Sequence, residues 1–174
     1  CDDRGAVALL NDCKYGYDVR GNVLRLSLIK SATMPDRVAD QGEHRFTYAL
    51  LPLLGDTRIA VRAEAYALNY PPRVFACADG TGVAVGALAR CDSPRAVIET
   101  IKPAEGGRGV ILRMYEAHNT RGPVRVILAP NVTSVERVGL LEDGGFPIPV
   151  EDGGISINLS PCQIVTLRLT ISPV

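Results

Sequence analysis

The chain has 174 residues, of which 47% are hydrophobic and 22% charged, with 17 Gly and 12 Pro. At about 100–200 residues per domain this is one large domain or two small ones, and the apolar content excludes disorder as the main state. The 19 basic and 19 acidic side chains cancel, which excludes a general nucleic-acid or anionic-membrane binder, and no apolar run approaches the roughly 20 residues that span a bilayer.

Apolar residues recur with period two far more often than with period 3.6, so strands dominate. In chain order the predicted strands are Ala6–Leu10, Val23–Leu28, Arg45–Leu51, Val74–Ala78, Val83–Leu88 and Ala96–Lys102. They continue with Val110–Tyr115, Val124–Leu128, Ser134–Val138, Ile155–Leu159 and Gln163–Ile171. Turn-forming groups such as Gly21-Asn22, Asp79-Gly80 and Arg121-Gly122-Pro123 separate them, and the expected arrangement is an antiparallel meander. One helix is predicted over 56–69, capped by Asp56 and stopped before Pro71-Pro72, with Ile59, Ala63 and Tyr66 or Ala67 on its covering face. The expected fold is all-β, an antiparallel sandwich with one short helix. Its domains are residues 1–94 and 95–174, joined through the Pro- and Gly-rich stretch from Asn69 to Pro94.

The start of the chain, Cys1-Asp2-Asp3-Arg4 followed almost at once by a strand, reads as a cut from a longer polypeptide and not as a secretory signal. Cys1, Cys13, Cys77, Cys91 and Cys162 are odd in number and match no zinc spacing; reduced, mostly buried thiols of a cytosolic protein are expected. His44 and His118 have no carboxylate or cysteine at a metal-ligand spacing. They are read as structural, His44 at a hydrogen-bonded sheet edge and His118 with a ring nitrogen holding a turn. Gly80-Thr81-Gly82-Val83-Ala84-Val85-Gly86 lacks dinucleotide-loop spacing and reads as a hairpin.

The segment Asn11-Asp12-Cys13-Lys14-Tyr15-Gly16-Tyr17-Asp18 packs amide, carboxylate, ammonium and phenol groups between two strands. Such groups hydrogen-bond vicinal diols, and a Tyr face lies against the apolar side of a sugar ring. Asn11, Asp12, Lys14, Tyr15 and Tyr17 are therefore the candidate substrate-binding residues. A solvated Asp12–Lys14 pair with Tyr residues covering the sheet accounts for the same composition, and both readings stand at this point.

The string from Val7 to Val19, then Leu24-Arg25-Leu26-Ser27-Leu28, resembles the start of the C-terminal β region of glycoside hydrolase family 38 α-mannosidases in their cytosolic and bacterial branch. Ala39-Asp40-Gln41-Gly42-Glu43-His44-Arg45-Phe46-Thr47-Tyr48-Ala49-Leu50, Glu64-Ala65-Tyr66-Ala67-Leu68-Asn69, Ile111–His118 and Thr166-Leu167-Arg168-Leu169 continue the likeness in order. Leu51, Leu53-Leu54 and Asn119 depart from it. The resemblance implies the end of a central super-sandwich followed by a small terminal β-domain. It further implies a retaining, metal-dependent exo-α-mannosidase whose zinc and nucleophilic Asp lie in an N-terminal catalytic domain outside this chain. The chain itself is then expected to hold no metal or catalytic residue, to brace that domain, and to complete the pocket for mannose-containing glycans through the loop from Asn11 to Tyr17. No nucleic-acid or membrane partner is expected; cytoplasmic location and homo-oligomer contacts fit the same reading. The rival is a free-standing carbohydrate-binding or structural β-sandwich module, weakened by 5% aromatic residues and no Trp.

Overall fold

A computed structural model of the chain describes residues 5–54, 57–76 and 86–172. The elements are β1 (Ala6–Asn11), β2 (Tyr17–Arg20), β3 (Val23–Leu26), β4 (Tyr48–Leu53), α1 (Thr57–Asn69) and β5 (Ala89–Cys91). They continue with β6 (Ala96–Pro103), β7 (Val110–Glu116), β8 (Gly122–Leu128), β9 (Val132–Val138), β10 (Phe146–Ile148), β11 (Gly154–Leu159) and β12 (Ile164–Ile171). All described pairings are antiparallel, so the all-β expectation holds. The chain forms two compact units, Cys1–Ala76 and Cys77–Val174.

In the first unit β1 pairs with β4, Ala6 opposite Leu53 and Asn11 opposite Tyr48, and β2 pairs with β3 as a hairpin. Gly21 makes that reversal possible with a φ of 59°, a region closed to most side chains. Helix α1 packs on β1 and β4. Its half-buried residues include Val61, Ala65 and Leu68, while Ile59, Ala63 and Ala67 are exposed. Of the predicted covering face only Tyr66 is half-buried; Val61, Ala65 and Leu68, at positions i, i+4 and i+7, lie roughly half a turn away from Ile59 and Ala63. Asp56, the predicted cap, lies outside the described residues.

In the second unit a five-stranded sheet, β10-β9-β12-β7-β6, faces a three-stranded sheet, β11-β8-β5. Leu112 and Met114 of β7, Val124 and Val126 of β8, Ile155, Ile157 and Leu159 of β11, and Val165, Leu167 and Leu169 of β12 share one buried core. Alternation along each strand puts these apolar groups on the inner face. The predicted meander is corrected. β7 leads to β8 in the other sheet, β8 to β9 back again, and β10, β11 and β12 cross likewise. Periodicity reveals strands, but the partner of each is decided by which neighbour completes the core.

Three short strands, β2, β5 and β10, fall outside the sequence reading. Residues 74–76, predicted extended, form no strand. The remainder of the Val74–Ala78 prediction, the first half of Val83–Leu88 and residues 80–85 of the predicted hairpin lie outside the described residues, as do Cys1 and Cys77. Cys13 and Cys162 are exposed in loops and Cys91 is half-buried, which corrects the expectation of mostly buried thiols: turns, not strands, carry two of the three. Burial, followed by the charge of Asp92, pushes the Cys91 thiol up to about 11.

Candidate functional site

The segment after β1 is built by short-range hydrogen bonds. Asn11 Oδ1 accepts from the Lys14 backbone N–H at 2.6 Å, closing a tight turn. The Asn11 carbonyl accepts from Asn69 Nδ2 at 3.2 Å, which ties the turn to the end of α1. Asp12 then bridges to the strand entering β4: both its carboxylate oxygens accept from the Thr47 N–H, at 3.0 and 2.9 Å, and its own N–H donates to the Thr47 carbonyl at 3.2 Å. The Thr47 N–H, and after it the Cys13 thiol, hold the Asp12 carboxyl below its ordinary value. Lys14 Nζ lies over the Phe46 ring, 4.7 Å from its centroid, a cation–π contact.

These bonds set the loop and leave other groups to face outward. Tyr15 is 90% exposed and Tyr17 74%. Lys14 and Tyr15, with Cys13 and Gly16, form one side of an open cleft of about 640 Å³; Ser27 to Lys30, Asp40 and His44 form the other. The five candidates thus divide. Lys14 and Tyr15 share the cleft, Asn11 and Asp12 hold the backbone behind it, and Tyr17 begins β2 opposite Leu26. Asp18, read as loop, is a strand residue paired to Arg25 at 2.8 Å.

Sequence reasoning missed Lys30, Asp40 and His44 as neighbours of this loop. His44 Nε2 sits 2.7 Å from the Asp40 carbonyl, and Asp40 Oδ2 accepts from the Ser31 N–H at 2.8 Å. Both bonds fold the segment between β3 and β4 back onto the cleft. The His44 hydrogen bond was legible in kind, but its partner is a loop carbonyl and not a sheet edge. The one usable signal was compositional: lysine, aspartate and histidine spread through a span without strand alternation.

A second polar cluster closes one end of the second unit. Glu116, at the end of β7, is buried. Its Oε1 accepts from the N–H groups of His118 (3.0 Å) and Thr120 (3.1 Å) and from Thr120 Oγ1 (2.8 Å); Oε2 accepts from the Cys162 N–H at 3.0 Å. Burial alone would raise the carboxyl, but these four donors, led by Cys162, outweigh it and hold the group at about 2. The turn is therefore held by Glu116 and not by the ring of His118, whose Nε2 is buried without a hydrogen-bond partner. A carboxylate offers about four acceptor sites where an imidazole nitrogen offers one, so it serves three backbone N–H groups at once.

Among the described residues no group of three or more His, Cys, Asp or Glu side chains comes close enough to hold a metal ion. None of their helices is long and apolar enough to cross a membrane.

Residues 95–167 match the family described as glycosyl hydrolases family 38 C-terminal beta sandwich domain, which is the part that forms the two-sheet core. Residues 1–38 match the glycosyl hydrolases family 38 C-terminal domain. Fold and sequence together define a β-sandwich region of a glycosyl hydrolase. Alpha-mannosidase 2C1 of Homo sapiens is 37% identical over 173 residues, covering 96% of this chain and 17% of the relative. The Mus musculus protein of the same name is 37% identical over 95% of the chain and 16% of its own length. Alpha-mannosidase G of Dictyostelium discoideum is 37% identical over 64% of the chain and 11% of that protein. The chain belongs to glycosyl hydrolase family 38, matching its C-terminal domains, and spans about a sixth of the length of the first two relatives.

Proposed function

We propose that this chain is the non-catalytic C-terminal portion of a retaining, metal-dependent exo-α-mannosidase, that it braces the catalytic domain, and that the loop from Asn11 to Tyr17 supplies one wall of the pocket for mannose-containing glycans. The observation that carries the bracing role is the bare apolar surface of the first unit. Val7 and Leu9 of β1, Val19 of β2, Leu24 of β3, and Tyr48 and Leu50 of β4 line an open groove of about 720 Å³. A groove so lined gains roughly 25 cal/mol for each Å² covered, and an upstream part of the same polypeptide is the cover that a sixth-length fragment leaves out.

The sugar-facing role rests on the polar cleft. Tyr15 presents a ring and a hydroxyl, Lys30 an ammonium and Asp40 a carboxylate, groups that read hydroxyl-rich ligands from one side. Among the described residues no group of side chains fits a zinc site. In this reading the zinc and the nucleophilic Asp belong to the upstream domain, where retaining chemistry needs a carboxyl pair about 5–5.5 Å apart. No bond-breaking step runs through the chain itself.

The test has two arms. The purified chain is expected to cleave no aryl α-mannoside with or without added zinc; turnover that scales with protein and survives further purification would refute the non-catalytic role. In the full-length parent, Tyr15→Phe and Lys30→Ala are expected to lower kcat/KM roughly 2- to 10-fold, the worth of one hydrogen bond, at unchanged Tm. Unchanged kinetics in both variants remove the cleft from the sugar site.

A further inference from the structure

The outer face of the five-stranded sheet, turned away from the main core, carries charged residues around a small buried apolar cluster of Ala104, Ile111 and Val138. Lys102 of β6, Ile111 of β7, Arg168 of β12 and Glu136 of β9 stand opposite one another across four strands. Thr100, Arg113, Thr166 and Val138 form the next row. The connection from β9 to β10 folds back onto these rows. Glu142, buried and with a φ of 65°, places Oε1 2.7 Å from Lys102 Nζ, and its Oε2 accepts from the Glu105 N–H at 2.8 Å. Arg113 Nη2 donates to the Leu140 carbonyl at 2.9 Å, and Arg168 Nη2 donates to the Glu142 carbonyl. Within the loop, Gly139 N–H donates to the Asp143 carbonyl and Glu142 N–H to the Gly139 carbonyl, both at 3.0 Å.

Arg113 and Arg168 therefore hold the backbone on either side of Leu141, and Lys102 holds the Glu142 carboxylate, yet the side chains so displayed are apolar. Leu140 is 62% exposed and Leu141 84%. Reversing β9 into β10 needs only a polar turn of a few residues. A buried carboxylate in a left-handed conformation, gripped so that two leucines stand in water, instead resembles a preorganised contact whose ordering cost is met before binding.

We infer that the Leu140-Leu141 tip is a docking knob that seats in an apolar socket on the upstream part of the same polypeptide. The inference rests on the proposal that such a part exists. The size of the patch selects this occupant over a second copy. Two leucine side chains bury at most a few hundred Å², well under the roughly 800 Å² per partner of a stable interface between separate chains. Within one chain the effective concentration is in the millimolar range, and a contact this small suffices.

Hydrogen exchange on the full-length parent tests it. In the Leu140→Ser/Leu141→Ser double variant, at least one peptide upstream of Cys1 is expected to exchange about tenfold faster or more, while β7 and β12 keep their protection. Glu142→Gln, which weakens the Lys102 grip and leaves the leucines in place, is expected to raise exchange in residues 139–145 and to a smaller degree in the same upstream peptides. Unchanged upstream exchange in the double variant overturns the inference, as does a halved mass by light scattering with upstream exchange unaltered, which would assign the tip to a second copy. A parallel Leu50→Asp variant separates this from the bracing proposal. If it loosens upstream peptides and the leucine variant does not, the knob alone fails; if neither does, the bracing proposal fails with it.

Discussion

The two units of this chain obey the same alternation and end in different physical states. In the second, inner-face residues of two sheets meet in a common core that includes Leu112, Val126, Leu159 and Leu167. In the first, Leu10 is the one buried side chain among the described residues, and Val7, Val19, Tyr48 and Leu50 stand exposed. Alternation determines that a strand has an apolar face; it does not supply the layer against which that face is buried. In the second unit a second sheet supplies that layer; in the first, helix α1 packs on β1 and β4 but leaves Val7, Tyr48 and Leu50 exposed.

Core truncation should separate the two units by the widest margin. Leu167→Ala is expected to destabilise the isolated chain by about 2–5 kcal/mol, because Leu167 is fully buried and the sandwich collapses only partly around the cavity. Leu50→Ala is expected to change it by no more than about 0.5 kcal/mol. Urea unfolding of both variants decides, and comparable losses would mean that the first unit already has its core.

A smaller effect is expected at Glu116. Glu116→Gln leaves backbone N–H groups poorly matched and should cost roughly 2–3 kcal/mol, read as a lower urea midpoint. The sign with pH follows from a folded carboxyl at about 2 against an ordinary 4.5: its stabilisation is complete above about pH 4.5 and is lost as pH falls toward 2. The wild-type midpoint should drop across that window and the Gln variant much less; equal slopes would contradict the four-donor account.

Smaller again is the grip on residues 139–145. The Lys102 ammonium, and after it the Glu105 N–H, hold the Glu142 carboxyl below 4.5, so the grip is full above that pH and weakens below it. Faster exchange of the loop at pH 3 than at pH 6, corrected for intrinsic rates, is the expected outcome, and a pH-independent protection factor would refute it. The least effect is expected from Asp12→Ala. It frees the Thr47 N–H and should loosen the loop before β2, read as faster Thr47 exchange with the β7 and β12 amides unchanged.

Much of the fold was legible in the residues. Val110–Tyr115, Val124–Leu128 and Ile155–Leu159 fall within a residue or two of observed strands because each alternates cleanly and ends at a turn former. β2, β5 and β10 were not, since three or four residues carry too little periodicity, and the sheet crossings were not, since pairing depends on residues distant in sequence. The site was legible by half. The Asn11–Tyr17 segment announced itself by composition, but the division between residues that hold the loop and residues that face the cleft needed Thr47 and Asn69, which no local pattern connects to Asp12 and Asn11. Glu116 read as part of a motif around His118, and only burial shows that the carboxylate, not the ring, holds the turn.

On the proposed reading, an upstream part of the parent polypeptide covers the apolar face that the first unit leaves exposed. Amide hydrogen exchange of β1 and β4, measured in the 174-residue chain and again in the full-length parent, tests this cover. Rapid exchange is expected in the isolated chain, with protection increased about a hundredfold or more in the parent and equal protection of β7 and β12 in both. Equal protection of β1 and β4 in the two settings would contradict it.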